Sequence, residues 1–499
     1  MTNLVNRILT KKILENYKLA IEEDRILYAG ERTVSLLEKY ISGEKNLDEL
    51  PNIVSIPTID TGLGNLKSAY SLADGLEAVL EENGDENTLV FAEFSDRQNP
   101  ITDAISEKMI RGPHKKSKDS KVKSINDVLK FLSGRAEDGK LWSEIQNMGE
   151  QILIEGSYAA KIAYMSAIGL PVTVLGAHER PMIALKNMLI STGQNKKVKK
   201  GLYVPDTIPK PGLIRLKNNF DFVIFSSTFE GNHDYGKNER FKKFPVNKEE
   251  LFTYLSKEGG VRYDGTPLPN KTLLADAFDI QESRQRRKKE IEKIIQNYSN
   301  ETGTFKGTPI KVTFMPSGSG MNPEAMKEYI GQMQPYVDDG RINLSIFATQ
   351  SYMLDLVSGN SVSEEYDLNM DGIQIVHIPE GKGNRQKKIM QSYRMMDDAH
   401  VMICMPGEQP DVGAVFGLPS IVVEPGGYNE VKNMDNAIAS GYAVKLEEGE
   451  NISDKIIRFV FTGAITKERG IYEVFDFMEK CIQKGLNVSI DFYGRINDD

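Results

Sequence analysis

The clearest candidate for ligand chemistry is a glycine-rich turn between a strand and a helix in the second half of the chain. The apolar run 310–315 leads into the sequence PSGSGMN, which carries Gly318, Ser319 and Gly320, and a helix is predicted to begin at Pro323. Glycines in such a turn let backbone N–H groups approach a phosphate, and the helix N-terminus adds a favourable dipole. No Gly-Lys-Ser/Thr sequence follows, so the turn is not a Walker loop. A tight strand–helix connection without a ligand is the alternative.

Two further groups of glycines lie at corresponding places in the predicted strands and helices. The sequence TGLGN, which includes Gly62, Gly64 and Asn65, follows an apolar strand and precedes an amphipathic helix. Later in the chain, Pro406-Gly407-Glu408 ends one predicted strand and Pro425-Gly426-Gly427 ends the next. Ligands of doubly wound sheets bind at such carboxyl ends of strands. Each turn is therefore a candidate binding segment, with an ordinary loop as the alternative.

Short apolar strands alternate with amphipathic helices around these turns. From IKVTFM to YAVKL, five helix-to-strand crossovers follow one another within about 140 residues, which predicts a doubly wound sheet. The same pattern begins earlier with NIVSIPTID, a helix and TLVFAEF, which form a βαβ unit. We therefore expect an α/β fold with two doubly wound, Rossmann-like domains that face each other across a cleft. The predicted limits are N-terminal helices over 1–50, an α/β domain with insertions over 51–300, a second α/β domain over 308–448 and an αβ appendage over 449–499.

Composition excludes several classes of protein. The 499 residues include 62 basic and 71 acidic side chains, and the net charge of −9 argues against a binder of duplex nucleic acid. The two cysteines, Cys404 and Cys481, cannot form a disulfide framework or a cysteine-rich metal site. No run of about 18 apolar residues occurs, and the N-terminal stretch lacks the apolar core of a signal peptide. We expect a cytoplasmic protein without a membrane span.

Several motifs in the region 309–446 together resemble the nucleotide-sugar-binding domain of GT-B glycosyltransferases of family 28. This family includes the lipid II-forming N-acetylglucosaminyltransferase and the monogalactosyldiacylglycerol synthases. The motifs that carry the resemblance are the turn Gly318–Gly320, Asp397-Asp398-Ala399 before an apolar strand, Pro406-Gly407, Gly417-Leu418-Pro419, and Asn436-Ala437 followed by Gly441.

Two other stretches also resemble glycosyltransferases. TGLGN is similar to the acceptor-side glycine loop of the family, and the stretch from Gly156-Ser157-Tyr158 to Gly169-Leu170-Pro171 resembles the segment that follows it. The C-terminal stretch 461–470 resembles the opening of a family 4 donor domain.

The resemblance implies transfer of a sugar from a nucleotide-sugar donor, with a UDP-sugar favoured, to an unknown acceptor such as a lipid or a glycan. It implies no metal and no cofactor, and the sequence contains no Asp-x-Asp motif, which disfavours a metal-dependent GT-A enzyme. The basic clusters 115–123, 196–200 and 284–289 suit peripheral contact with an anionic membrane or a phosphorylated acceptor, with a solvated charged face as the alternative. The expected donor-side residues are Gly318, Ser319, Gly320, Glu408, Asp411 and Asn436, and those on the acceptor side are Gly62, Gly64 and Asn65.

The chain departs from the family pattern at three positions. Family members usually carry His after the acceptor-side glycines, where this chain has Asn65, a residue that cannot act as a base. At the position of the acidic residue that normally holds the donor ribose, this chain has Val412, and Asp411 is one position away. Where the family has a Gln at the start of the helix before Asn-Ala, this chain has Asn433. Glu408 and Asp411 are therefore the candidate carboxylates for the nucleoside.

A base must remove a proton from the acceptor hydroxyl in the implied mechanism. The candidate is His178, in the sequence LGAHERP at the end of a predicted strand, with Asp60 and Glu179 behind it. A loop histidine without a catalytic role is the alternative.

Two other functions remain open. A nucleotide-sugar 2-epimerase of the same fold needs several acidic and histidine side chains in the cleft, which the sequence does not assemble. A degenerate GT-B protein that binds a sugar nucleotide or a partner without catalysis is favoured by Asn65 and Val412.

Overall fold

The computed structural model describes residues 2–59, 63–99, 155–205, 211–226, 247–265, 278–298, 307–316, 323–348, 372–378, 384–407, 409–423, 428–447 and 449–456. The chain divides into two compact units. The first comprises Met1–Phe278 and Ile378–Met390, and the second comprises Asp279–His377 and Gln391–Asp499. No helix among the described residues is long and apolar enough to cross a bilayer.

The first unit is an α/β unit built on a sheet of seven strands. Its strands are β1 Ile26–Tyr28, β2 Asn52–Thr58, β3 Thr88–Phe94, β4 Val172–Gly176, β5 Lys199–Val204, β6 Phe220–Phe225 and β7 Ser256–Asp264. Its α-helices are α1 Thr2–Glu22, α2 Glu31–Ser42, α3 Leu63–Glu82, α4 Gly156–Ala167, α5 Glu179–Ser191 and α6 Lys248–Leu255, with short 3₁₀ helices at Ser95–Arg97 and Pro211–Leu216.

The strand order of this sheet is β1-β3-β2-β4-β5-β6-β7, and only β1 is antiparallel to its neighbour. All seven residues of β3 are buried, as expected of a parallel strand that is covered on both faces. From β2, the chain first adds β3 on one side of the sheet. It then returns to the other side of β2, where β4, β5, β6 and β7 follow in order. The point of reversal lies between β2 and β4, where doubly wound sheets bind ligands.

A buried carboxylate is fully satisfied inside the core of the first unit. Glu93 on β3 accepts hydrogen bonds from Ser55 Oγ (2.6 Å) and Tyr17 Oη (3.4 Å) through Oε1. Its Oε2 accepts from Lys161 Nζ and from Gln98 Nε2 (3.3 Å). Burial lowers the pKa of Lys161, and the negative charge of Glu93 opposes that shift. The ion pair is thus held by hydrogen bonds that offset part of its desolvation.

The second unit is also α/β, with a sheet of six strands. Its strands are β8 Ile310–Met315, β9 Ile342–Ala348, β10 Ile373–His377, β11 Val401–Cys404, β12 Ser420–Val422 and β13 Ala443–Lys445. Its α-helices are α7 Ile280–Tyr298, α8 Pro323–Asp338, α9 Asn384–Asp398, α10 Gln409–Val415 and α11 Tyr428–Ala439, and the first residues of α9 belong to the first unit.

This sheet is parallel throughout and has the order β10-β9-β8-β11-β12-β13. Counted within the unit, the order is 3-2-1-4-5-6, which is that of dinucleotide-binding sheets. The strand order reverses between β8 and β11. Because these two strands are parallel neighbours, the segments that follow them start side by side at the carboxyl edge. Each unit therefore confirms the predicted class of doubly wound α/β sheets.

Helix α7 belongs to the second unit, whereas the predicted domain limit placed residues 280–300 with the first. The reason is the buried Arg287, which is 3% exposed and donates to four backbone carbonyls. These acceptors are Ala399 (2.6 Å), Met396 (2.9 Å), Asp397 (3.0 Å) and Phe416. Burial lowers the pKa of Arg287 to about 10, which leaves the guanidinium charged at neutral pH. Contacts so distant in sequence leave no local signature.

Arg287→Met is expected to destabilise the second unit by about 3 kcal/mol, because it leaves buried carbonyls without their charged donor. The measurement is urea unfolding, monitored with a spectroscopic probe that reports on the second unit. Lys288→Met is the matched control, since the Lys288 side chain is 77% exposed on the same helix, and we expect a change within about 0.5 kcal/mol. Equal effects of the two substitutions would contradict the role of Arg287.

Lys161→Met is expected to cost about 3 kcal/mol in the free energy of unfolding, because Glu93 is left as a buried charge without its cation. The double variant Glu93→Gln/Lys161→Met removes both charges and should cost less than the sum of the two single variants. A double-mutant cycle by urea unfolding measures the coupling. Additive costs would show that the pair is not coupled.

Candidate active site

The reversal point of the second sheet brings two chain segments together. β8 continues into Pro316, and β11 continues into Met405, Pro406 and Gly407. The Gln409 side chain at the start of α10 donates from Nε2 to the Pro316 carbonyl at 3.4 Å, which connects the two segments. Residues 317–322, which include Gly318, Ser319 and Gly320, lie outside the described residues, as does Glu408. Their donor-side roles stay predictions.

Asp411 lies in the first turn of α10, at the same edge of the sheet. Its Oδ1 accepts a hydrogen bond from the hydroxyl of Tyr442. The pKa of Tyr442 is raised by burial and by the negative charge of Asp411, so the phenol stays a donor. Val412, where the family pattern has an acid, is 2% exposed and belongs to the core. Of these two positions, only Asp411 can present a carboxylate at the edge.

Asn436 lies on α11 and is half-buried. It comes 8 residues after Tyr428, the first residue of the helix, which corresponds to about 12 Å along the helix axis. The helix start follows the carboxyl end of β12, so Asn436 is not at the end of α11 nearest that edge.

The reversal point of the first sheet brings together the two segments predicted for the acceptor side. β2 ends at Thr58 and α3 begins at Leu63, with Gly64 and Asn65 in its first turn. Thr58 Oγ1 donates to the Asn65 carbonyl at 3.3 Å. β4 ends at Gly176, and His178 follows at the same edge. Asp60 and Gly62 lie outside the described residues.

His178 caps the N-terminus of α5. Its Nδ1 accepts a hydrogen bond from the Arg180 backbone N–H at 3.2 Å and lies 3.5 Å from Glu179 Oε2. A ring nitrogen that accepts carries no proton, so the neutral imidazole has its proton on Nε2. In this geometry Nε2 is a donor, and the predicted role of base requires the cap to be given up. The base role stays a prediction that the local hydrogen bond opposes.

Two buried acidic side chains at the same edge were missed by the sequence analysis. Asp96 lies two residues after the end of β3 and is 0% exposed, and Glu155 precedes α4 and is 2% exposed. Ser95, beside Asp96, donates from Oγ to the Thr58 carbonyl at 3.0 Å, which ties the end of β3 to the end of β2. Asp96 follows a strand as the glycine turns do, so the same rule could have found it. Glu155 follows a long segment of mixed polarity that gave no local signal.

The described residues hold no group of three or more His, Cys, Asp or Glu side chains that could bind a metal ion. The side chains at the two edges are carboxylates, a hydroxyl, an imidazole and an amide. Their chemistry is hydrogen bonding and proton transfer.

No protein family model matches the sequence, and no characterised protein matches it at a significant level. Among solved structures, the chain is similar to the α,α-trehalose 6-phosphate synthase of Burkholderia multivorans, with 11% identity, a TM-score of 0.35 and coverage of 89% of this chain and 100% of the other. It is similar to MurG of Acinetobacter baumannii, with 12% identity, a TM-score of 0.37 and coverage of 79% and 86%. The glycotransferase of kitacinnamycin gives 9% identity, a TM-score of 0.39 and coverage of 87% and 96%. Likeness at this level describes architecture alone.

His178→Ala is expected to lower the free energy of unfolding by about 1 kcal/mol, because α5 loses its N-cap. His178→Asn keeps a side-chain acceptor at the cap and should stay within about 0.5 kcal/mol of the wild type. Urea unfolding of both variants measures the difference. A loss with Asn as large as the loss with Ala would contradict the capping role.

Proposed function

We propose that this chain is a glycosyltransferase that moves a sugar from a nucleotide-sugar donor to an acceptor hydroxyl without a metal or cofactor. The observation that carries the proposal is where the candidate ligand-binding turns lie: they are at the points where the strand order of each sheet reverses. In each of the two parallel sheets, the segments with candidate ligand residues leave the strands that flank the reversal. Such points are where doubly wound sheets bind ligands.

On the donor side, the turn with Gly318, Ser319 and Gly320 receives the diphosphate. Supporting this, the turn leaves β8, the central strand of a sheet with the order of nucleotide-binding sheets. The following helix α8 begins at Pro323, and its N-terminal dipole favours the negative charge of the departing nucleoside diphosphate. Asp411 and Glu408 bind the nucleoside, for which uridine is favoured, and Asn436 contributes to the donor side.

On the acceptor side, Gly62, Gly64 and Asn65 position the acceptor, and a base takes the proton of its hydroxyl. The acceptor is a lipid or a glycan. The exposed cations Lys196, Lys197 and Lys199 of this unit lie at the amino end of β5, opposite the edge at which the acceptor is placed. The same cations are suited to peripheral contact with an anionic membrane surface.

A second candidate is a degenerate protein that binds a sugar nucleotide without transfer. Two observations favour it: Val412 is buried where the family pattern has an acid, and Asp411 already accepts from Tyr442. The two candidates share nucleotide binding and differ in turnover.

The test is thermal stabilisation by UDP, GDP, ADP and their sugars, followed by an assay for release of the nucleoside diphosphate. A nucleotide that binds the folded chain raises the Tm by mass action. At a concentration of 100 times its Kd, it adds about 2.7 kcal/mol to the free energy of unfolding. Release of the diphosphate supports transfer, and binding without release supports the degenerate protein. No shift with any nucleotide at millimolar concentration overturns both.

Gly320→Asp is expected to abolish the nucleotide-induced shift in Tm, because a carboxylate in the turn repels the diphosphate and fills the space that the backbone must approach. Gly265→Asp is the matched control, since a Cβ at Gly265 meets nothing within 4 Å. We expect the control to keep the full shift. A shift that survives Gly320→Asp would place the diphosphate elsewhere.

A further inference from the structure

Glu155 is a buried carboxyl group that receives no hydrogen bond from the described part of the chain. It is 2% exposed, and neither of its side-chain oxygens has a hydrogen-bond partner among the described residues. It occupies the N-cap position of α4, yet its side chain does not cap the helix. The neighbouring Ser95 hydroxyl donates to the Thr58 carbonyl at 3.0 Å, and its interaction with Glu155 lowers the pKa of that carboxyl by less than burial raises it. A buried polar group in this state costs folding free energy, and a catalytic role is one of the explanations for its presence in a native fold.

The same sheet contains a second buried acid, Glu93, whose two oxygens are both paired. Glu93 is equally buried, and each of its two oxygens accepts two hydrogen bonds, one of them from the Lys161 cation. A buried carboxylate can therefore be fully paired in this unit. Glu155 differs in lying at the carboxyl edge, beside the reversal point between β2 and β4, where a ligand would enter.

The charged groups around Glu155 come from two other elements: Asp96 lies after β3, and Arg180 lies in the first turn of α5. The titratable Tyr158 lies on α4, the helix that Glu155 precedes. Burial and the negative charge of Asp96 raise the pKa of Glu155 to about 8, against smaller opposing effects of Ser95 and Arg180. A carboxyl group with a pKa close to the working pH can accept a proton from a hydroxyl and release it again.

We propose that Glu155 is the base of the transfer and that Asp96 tunes it, an inference that rests on the proposed glycosyltransferase function. The acceptor hydroxyl supplies the hydrogen bond that Glu155 lacks. Its oxygen forms the new bond to the anomeric carbon, while the bond from that carbon to the diphosphate breaks and its electron pair leaves on the diphosphate oxygen. The hydroxyl proton moves to the ionised Glu155 carboxylate. His178 keeps its cap on α5 and presents Nε2–H as a donor.

The first test is the pH dependence of kcat for hydrolysis of whichever donor stabilises the chain, with water as the acceptor. In the wild type, kcat should rise about tenfold per pH unit and level off near pH 8, where Glu155 ionises. Glu155→Gln should lower kcat by about 100-fold or more and remove the rise of kcat with pH, which is the limb of the profile that Glu155 produces. Asp96→Asn should move the limb to lower pH, because the negative charge that raises the pKa of Glu155 is gone. Glu81→Gln, an exposed substitution on α3, should leave the profile unchanged.

A second test reads the Glu155 proton without activity. Because the folded pKa of about 8 lies above the ordinary 4.5, the folded state holds the proton where the unfolded state has lost it. This contribution to stability is complete below about pH 4.5 and is lost as the pH rises towards 8. Glu155→Gln escapes this loss, so its Tm relative to the wild type should be higher at pH 9 than at pH 5. An equal difference at both pH values overturns the raised pKa.

The outcomes separate the two proposals. If the wild type turns over donor and Glu155→Gln keeps both the rate and the pH limb, the role of Glu155 is overturned while the glycosyltransferase function stands. If the wild type releases no nucleoside diphosphate from any donor, the proposed function falls and the catalytic role falls with it. A pH-dependent gain in Tm with an unchanged pH–rate profile identifies Glu155 as a buried acid without a catalytic role, which also overturns the inference.

Discussion

The burial of both faces of a parallel sheet is the constraint on which the rest of this structure depends. Each crossover between parallel strands is covered by a helix that starts at the carboxyl edge, so strand ends and helix N-termini gather at one edge of each sheet. Where the strand order reverses, neighbouring connections diverge to opposite faces and leave room between them. In the first unit, Gly64 and His178 follow the strands that flank the reversal, and in the second unit Asp411 does so. Their place at the carboxyl edge of their own sheet is a consequence of the topology.

Burial also explains the contrast among the polar groups of the core. Arg287 and Glu93 are as inaccessible as the apolar side chains, and each is fully hydrogen-bonded. Arg287 holds α7 onto carbonyls at the ends of α9 and α10, whereas Glu93 joins strands to helices of the first unit. The carboxyl of Glu155 has no such bonds among the described residues, and it lies at the carboxyl edge of the first sheet.

The alternation of strands and helices was sufficient to predict the fold class, because period and turn chemistry are local properties. The edge position of His178 was also predictable, since it directly follows a buried strand. Its protonation was not, because the cap on Arg180 depends on how α5 begins. Asp96 could have been found by the rule that found the glycines. Glu155 could not, since its burial is created by elements that lie far apart in sequence.

Non-local packing also explains why α7 lies in the second unit, whereas the predicted limit placed residues 280–300 with the first. The run of charged residues in α7 resembles a solvated helix near a linker, and most of its side chains are indeed exposed. One residue, Arg287, is buried against chain segments more than 100 positions away. A guanidinium can bond to several carbonyls at once because its donors are fixed in a planar fork. Such an anchor looks like any other basic residue in the sequence.

Asp411 and Tyr442 form a pair one position away from Val412, where the pattern of family 28 has an acid. Neighbouring residues of a helix point in directions about 100° apart, so an acid moved by one position cannot replace the original without a change in its surroundings. Val412 faces the core, and a carboxylate there would be buried without a partner. At Asp411 the carboxylate meets the Tyr442 hydroxyl, which fixes one oxygen and restricts the rotamer. Because Tyr442 is a neutral donor, its hydrogen bond leaves the negative charge of Asp411 in place, as the proposed contact with the nucleoside requires.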